Sequence, residues 1–178
     1  MGPTEERIRA LNQFQAQGNR IFVATSRGVL PFQADDLHFD GFVGEDGNYI
    51  VYDGQVLVND LFTADEVRRL IEVFQKYDGR CMYHSHQNSW CDCWEDEYIQ
   101  RHRKAFSHTT EKPANLIEKL DADSMDLIAC CVMFKNVEDL RGAYAALDDM
   151  CTMVAYETGI IRMDVYRTGF KKGTGVQY

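Results

Sequence analysis

A helix that runs straight into an apolar strand is the feature that most constrains what this chain can fold into. Thr4 can cap a helix whose first turn carries Glu5 and Glu6, with Ile8, Leu11 and Phe14 at helical spacing and Gly18 closing it. The stretch from Arg20 to Thr25 follows at once without polar alternation, which predicts a strand buried on both faces, as in a parallel sheet. Helix plus strand is half of a βαβ unit, so the chain is expected to carry part of an α/β fold.

The pattern then changes. From Phe39 to Phe62 short apolar runs are separated by Asp46-Gly47 and Asp53-Gly54, two hairpin signals that predict antiparallel strands. Thr63 opens a helix with Asp65 and Glu66 in its first turn and Val67, Leu70, Ile71 and Phe74 on one face, ending near Asp78-Gly79. A strand pair is expected between Cys81 and Trp94, then a polar helix through Tyr98 and Ile99. Asp126 to Phe134 reads as a strand, and Asn136 caps a helix carrying Val137, Leu140, Tyr144 and Leu147. Cys151 to Tyr156 and Ile160 to Val165 form a hairpin across Thr158-Gly159. This middle region predicts an α+β unit of mixed sheet with helices on one face.

The 178 residues, 45% of them hydrophobic, suffice for a real core. No run approaches the roughly 18 apolar residues of a membrane helix, and the first residues lack the pattern of a secretory signal, so a cytoplasmic protein with no membrane partner is expected. A net charge of −9 argues against nucleic-acid binding, which needs clustered Lys and Arg to neutralise phosphates. Cys130 and Cys131 are adjacent inside an apolar run and read as small core residues rather than disulfide partners.

Val23-Ala-Thr-Ser-Arg27 places a hydroxyl residue at the carboxyl end of a parallel strand, where open α/β sheets bind ligands and loops expose backbone N–H groups. At the other end of the chain, Asp164-Val165 supplies a strand end, Gly169 a loop, and Lys172-Gly173 a helix start. Together these segments resemble the second and third motifs of Cof-type phosphatases of the haloacid dehalogenase (HAD-like) superfamily. The resemblance implies that the Thr25 hydroxyl and the following amide hold a transferring phosphoryl group, and that Lys172 neutralises charge beside it. Ser26 replaces the family's glycine and Arg27 matches its arginine; both are expected at the substrate. Asp46-Gly47-Asn48 stands where the family shows Asn-Gly-Ala beside the active site, and reads either as a ligand contact or as a structural turn.

The same resemblance implies the architecture: a partial Rossmann-like core from residues 1–38 and 164–178, and an inserted α+β cap at 39–163. It implies hydrolysis of small phosphorylated metabolites, sugar phosphates among them, through an aspartyl-phosphate with Mg²⁺ in the complete enzyme. The nucleophile of that chemistry lies in an Asp-x-Asp-Gly segment, which the sequence does not contain. The 178 residues alone are therefore expected to be inactive, with the magnesium ligands elsewhere and self-association through exposed core remnants open. The alternative is a stand-alone binding module.

That alternative has one candidate metal site. His84, His86, Cys91 and Cys93 offer four zinc donors on a predicted hairpin. A four-residue loop from Gln87 to Trp90 sets all four on one face, whereas a three-residue loop from Gln87 to Ser89 turns the cysteines away.

Overall fold

The structure is a computed structural model that describes residues 3–26, 37–107, 110–169 and 173. It divides into two compact units, the first holding the described residues up to Asp60 and the second running Leu61–Gly169.

In the first unit, helix α1 (Glu5–Ala16) begins at Thr4, whose hydroxyl accepts from the Arg7 N–H, and unwinds into Gly18 at φ 85°. Strand β1 (Phe22–Ala24) follows and pairs in parallel with β2 (Gly41–Gly44), and β3 (Tyr49–Tyr52) and β4 (Gln55–Asn59) continue antiparallel, in the order β1-β2-β3-β4. Asp53 and Gly54, at φ 48° and 73°, close the β3–β4 hairpin as an Asp-Gly turn should. The expectation that the first strand is buried on both faces fails. β1 is three residues long, it sits at the sheet edge, and Phe22 is 52% exposed. Its neighbour α1 buries none of its residues, so the apolar spacing of Ile8, Leu11 and Phe14 is present without a described core to receive it.

The second unit has a full core. Helix α2 (Ala64–Lys76) starts with a reciprocal capping box: the Thr63 hydroxyl accepts from the Glu66 N–H, and the Glu66 carboxylate accepts from the Thr63 N–H at 2.7 Å. Strands β5 (Arg80–His84), β6 (Ser89–Trp90), β7 (Leu116–Ile117), β8 (Ala129–Met133), β9 (Cys151–Tyr156) and β10 (Arg162–Arg167) form one sheet in the order β7-β6-β5-β8-β10-β9. Only β6 and β7 run parallel. Helix α3 (Glu97–Phe106) precedes β7, and α4 (Val137–Leu147), capped by Asn136, follows β8.

Strand alternation splits the packing. Cys81, Tyr83, Cys130, Val132, Met163 and Val165 meet Val67, Leu70 and Phe74 of α2 and Leu140, Ala143 and Leu147 of α4 in the main core. On the opposite face Met82 and Met133 meet Ile99 of α3, with Cys91 and Trp94. Fully burying each such aliphatic side chain is worth about 1.5–3 kcal/mol. Gly142 allows α4 to approach α2, since a Cβ there would lie 2.3 Å from the Tyr77 ring.

Candidate functional site

The register of β1 against β2 assembles the candidate site. Phe22, Val23 and Ala24 lie opposite Gly41, Phe42 and Val43, so both strands end together. Thr25 stands one residue beyond β1; its N–H donates to the Val43 carbonyl at 2.9 Å, and its own carbonyl accepts from the Asp46 N–H at 3.3 Å. Thr25 is half-buried and Ser26 exposed. Two segments twenty residues apart in the sequence thus converge at the carboxyl end of a parallel strand pair, where such sheets bind ligands.

The loop that meets Thr25 is a single 3₁₀ turn, Glu45–Gly47, in an unusual backbone state. Glu45, Asp46 and Gly47 have φ of 46°, 53° and 104°. For two non-glycine residues this left-handed conformation is unfavourable and persists only where the surroundings enforce it. Asn48 does so here. It is wholly buried, and both its N–H (3.1 Å) and its Nδ2 (2.7 Å) donate to the Glu45 carbonyl. Its carbonyl accepts from the Asp60 N–H at 2.8 Å, tying the loop to the end of β4. Asn48 Oδ1 is buried without a hydrogen-bond partner among the described residues.

Asp40 fastens the other end of the strand pair. Its Oδ2 accepts from the Ile21 N–H at 2.7 Å and from Gln15 Nε2 at 2.9 Å, while its own N–H donates to the Ile21 carbonyl. The Ile21 N–H, then Gln15, hold its carboxyl below the usual carboxylate range against a smaller opposing cost of desolvation. α1, β1 and β2 are joined by this one side chain.

Of the residues singled out in the sequence, Thr25, Ser26, Asp46, Gly47 and Asn48 fall together at this end of the sheet. Arg27 and Lys172 lie outside the described residues. Sequence reasoning missed Glu45, whose carbonyl organises the turn; the acidic residue ahead of Asp46-Gly47 was the available signal.

The four candidate zinc donors do not converge. Tyr83 pairs with Trp90 and His84 with Ser89, a register that differs from both loops considered above. Ser85 is the cause. Its Oγ accepts from the N–H groups of Gln87 (3.2 Å) and Asn88 (3.0 Å), and its N–H donates to the Asn88 carbonyl, closing the turn at 85–88. His86 is left in the turn, His84 Nδ1 lies 3.2 Å from Ser89 Oγ, and Cys91 and Cys93 face each other at 3.9 Å beyond the strand. Among the described residues, no group of three or more His, Cys, Asp or Glu side chains could hold a metal ion. The described residues likewise include no helix long and apolar enough to cross a membrane.

A parallel strand pair with a hydroxyl residue just past its carboxyl end, in a chain that also carries an α+β unit, places the protein among mixed α/β proteins. It belongs to the haloacid dehalogenase-like hydrolases, whose family model matches residues 3–178. Solved structures share its fold. A hypothetical protein from Geobacillus kaustophilus HTA426 superposes with a TM-score of 0.81 at 18% identity, over 99% of this chain and 66% of its own. The HAD subclass IIB sugar phosphatase BT4131 gives 0.73 at 19% identity, over 98% and 66%. BT1666 from Bacteroides thetaiotaomicron, a phosphatase of the same superfamily, gives 0.73 at 17% identity, over 98% and 63%. The chain spans just under two thirds of the length of these structures. No curated protein matches it.

Proposed function

We propose that this chain is the cap-bearing portion of a Cof-type phosphohydrolase that removes phosphate from small phosphorylated metabolites, sugar phosphates among them. In this reading the Thr25 hydroxyl and the Ser26 N–H hold the phosphoryl oxygens, Arg27 and the Asp46-Gly47-Asn48 turn border the substrate, and Lys172 offsets its charge. The observation that carries it is the convergence of Thr25 and the 45–47 turn beyond paired parallel strand ends. The fold shared with sugar and other HAD phosphatases supports the same reading. The cap is assigned to the second unit, Leu61–Gly169, rather than to 39–163, because β2, β3 and β4 continue the sheet that β1 begins and β10 belongs to the six-stranded sheet; the flanking segments are assigned to the core.

The complete enzyme acts through an aspartyl-phosphate with Mg²⁺. The described residues supply no set of three carboxylate or imidazole ligands, so they do not fit that ion. Without an Asp-x-Asp-Gly segment the chain alone turns over no phosphate ester. Its own residues bind and orient the phosphoryl group, a positioning role rather than bond cleavage.

A ¹⁵N NMR titration with inorganic phosphate tests the site. Saturable shifts at the Thr25 and Ser26 amides, weakened at least about fivefold by Thr25→Ala, are expected for a group making a charge-assisted hydrogen bond. Phosphate binding unchanged in Thr25→Ala would refute the role of Thr25. Magnesium-dependent turnover by the pure chain would refute its inactivity.

A further inference from the structure

In the second unit, the sheet face that carries α3 gathers cationic side chains with unmet donors. Met82, Cys131 and Asp164 form one cross-strand row on this face, so His84 and Arg162, two residues along their strands, share it. Arg162 lies against two aromatic rings, its guanidinium carbon 4.4 Å from the Phe106 centroid and 3.7 Å from that of Tyr156. Those rings are 46% and 37% exposed. Among the described residues no acceptor reaches Arg162 within hydrogen-bond distance; Asp164 stands 3.9 Å from its Nε. Stacking fixes the guanidinium plane and leaves its N–H edge free for an acceptor, the arrangement that suits bidentate recognition of planar or tetrahedral oxyanions.

Two neighbours on α3 add to it. Arg103 Nε and His102 Nδ1 are both buried without a hydrogen-bond partner among the described residues. His102 Nε2 lies 3.6 Å from Cys131 Sγ, and where it accepts from that thiol the ring proton sits on Nδ1 as a further unmet donor. The ring packs on Phe106 at 4.7 Å, beside Arg162, and Arg103 and Arg162 both lie close enough for their charges to act on His102. A water molecule could satisfy one such donor, but it could not offset two guanidinium charges where Asp164 balances one of them.

We infer that this face of the second unit binds a small oxyanion, a phosphate or carboxylate group, through Arg162, Arg103 and His102. The site is independent of the Thr25 site and does not rest on the phosphatase reading.

The test uses the full chain, with inorganic phosphate, sodium acetate and sodium chloride each titrated at constant ionic strength. Saturable shifts of the His102 ring and the Arg162 Nε–H with phosphate, and none with chloride, are expected; a matching response to acetate assigns a general oxyanion site, and its absence a dianion site. Arg162→Gln and Arg103→Gln should each weaken phosphate binding at these reporters at least about tenfold. Asp164→Asn, which removes the nearby carboxylate, should tighten it. Shifts confined to Thr25 and Ser26, or binding at His102 unchanged in all three variants, would overturn the proposal. The two sites report on separate resonances, so each can fail alone.

Discussion

Lowering the pH from 7 to 5 should destabilise the second unit through two histidines. His84 is driven down to about 4, first by desolvation and then by the charges of Arg103 and His102. His102 is likewise lowered to about 4, by desolvation and then by Arg162 and Arg103. Both stay neutral in the folded chain while the unfolded chain takes up protons near 6.5. The unfolded state therefore binds more protons across this window, and stability falls as the pH drops from about 6.5 towards 4. With these values, the linkage between pH 7 and pH 5 amounts to about 2 kcal/mol for the buried His84 and to less for His102, which solvent partly screens. The carboxylates held below their ordinary range, Asp40 and Glu66 among them, titrate lower and leave the window to the histidines. Urea unfolding followed at half-unit pH steps measures the slope, and His84→Gln and His102→Gln should each remove part of it. A flat stability between pH 7 and 5, or a slope that survives both substitutions together, would refute the reasoning.

Asn48→Ala should cost about 2 kcal/mol in urea unfolding, because it removes the Nδ2 bond that holds two left-handed residues in place. The same variant should broaden the Thr25 amide resonance. Gly142→Ala should cost about 1–3 kcal/mol, since its methyl group meets the Tyr77 ring and α2 and α4 must separate; thermal unfolding measures it, and an unchanged midpoint would refute the close approach.

Much of the second unit was legible because local chemistry and tertiary structure agree there. The Thr63-x-x-Glu66 box, the Asn136 cap and the period of Val67, Leu70 and Phe74 each state one element, and each element forms. The placement of α3 across the sheet from α2 and α4 depends on which strand face Ile99 meets, which a polar helix does not announce. The 81–94 hairpin was legible as a pair but not in register, because one side-chain hydroxyl, that of Ser85, decides where the turn closes. In the first unit both Asp-Gly turns were visible. The exposure of β1 was not, because apolar composition reports what a strand can bury, whereas its burial depends on which neighbours stand beside it. For the site, Thr25 was marked by its place after an apolar strand and the 46–48 turn by its Asp-Gly pair, and the resemblance joined the two. Their convergence needs the parallel pairing of β1 with β2, a long-range fact that neither segment encodes by itself.

The unburied helix α1 has a kinetic consequence. A helix of twelve residues with no buried side chain and a three-residue edge strand beside it has little to hold its amides shut, so it should exchange hydrogen through local fraying. The central strand β8, flanked on both sides and nearly sealed, should exchange only through larger openings. Brief proteolysis should therefore trim the amino-terminal helix first and leave the six-stranded unit as the persistent fragment.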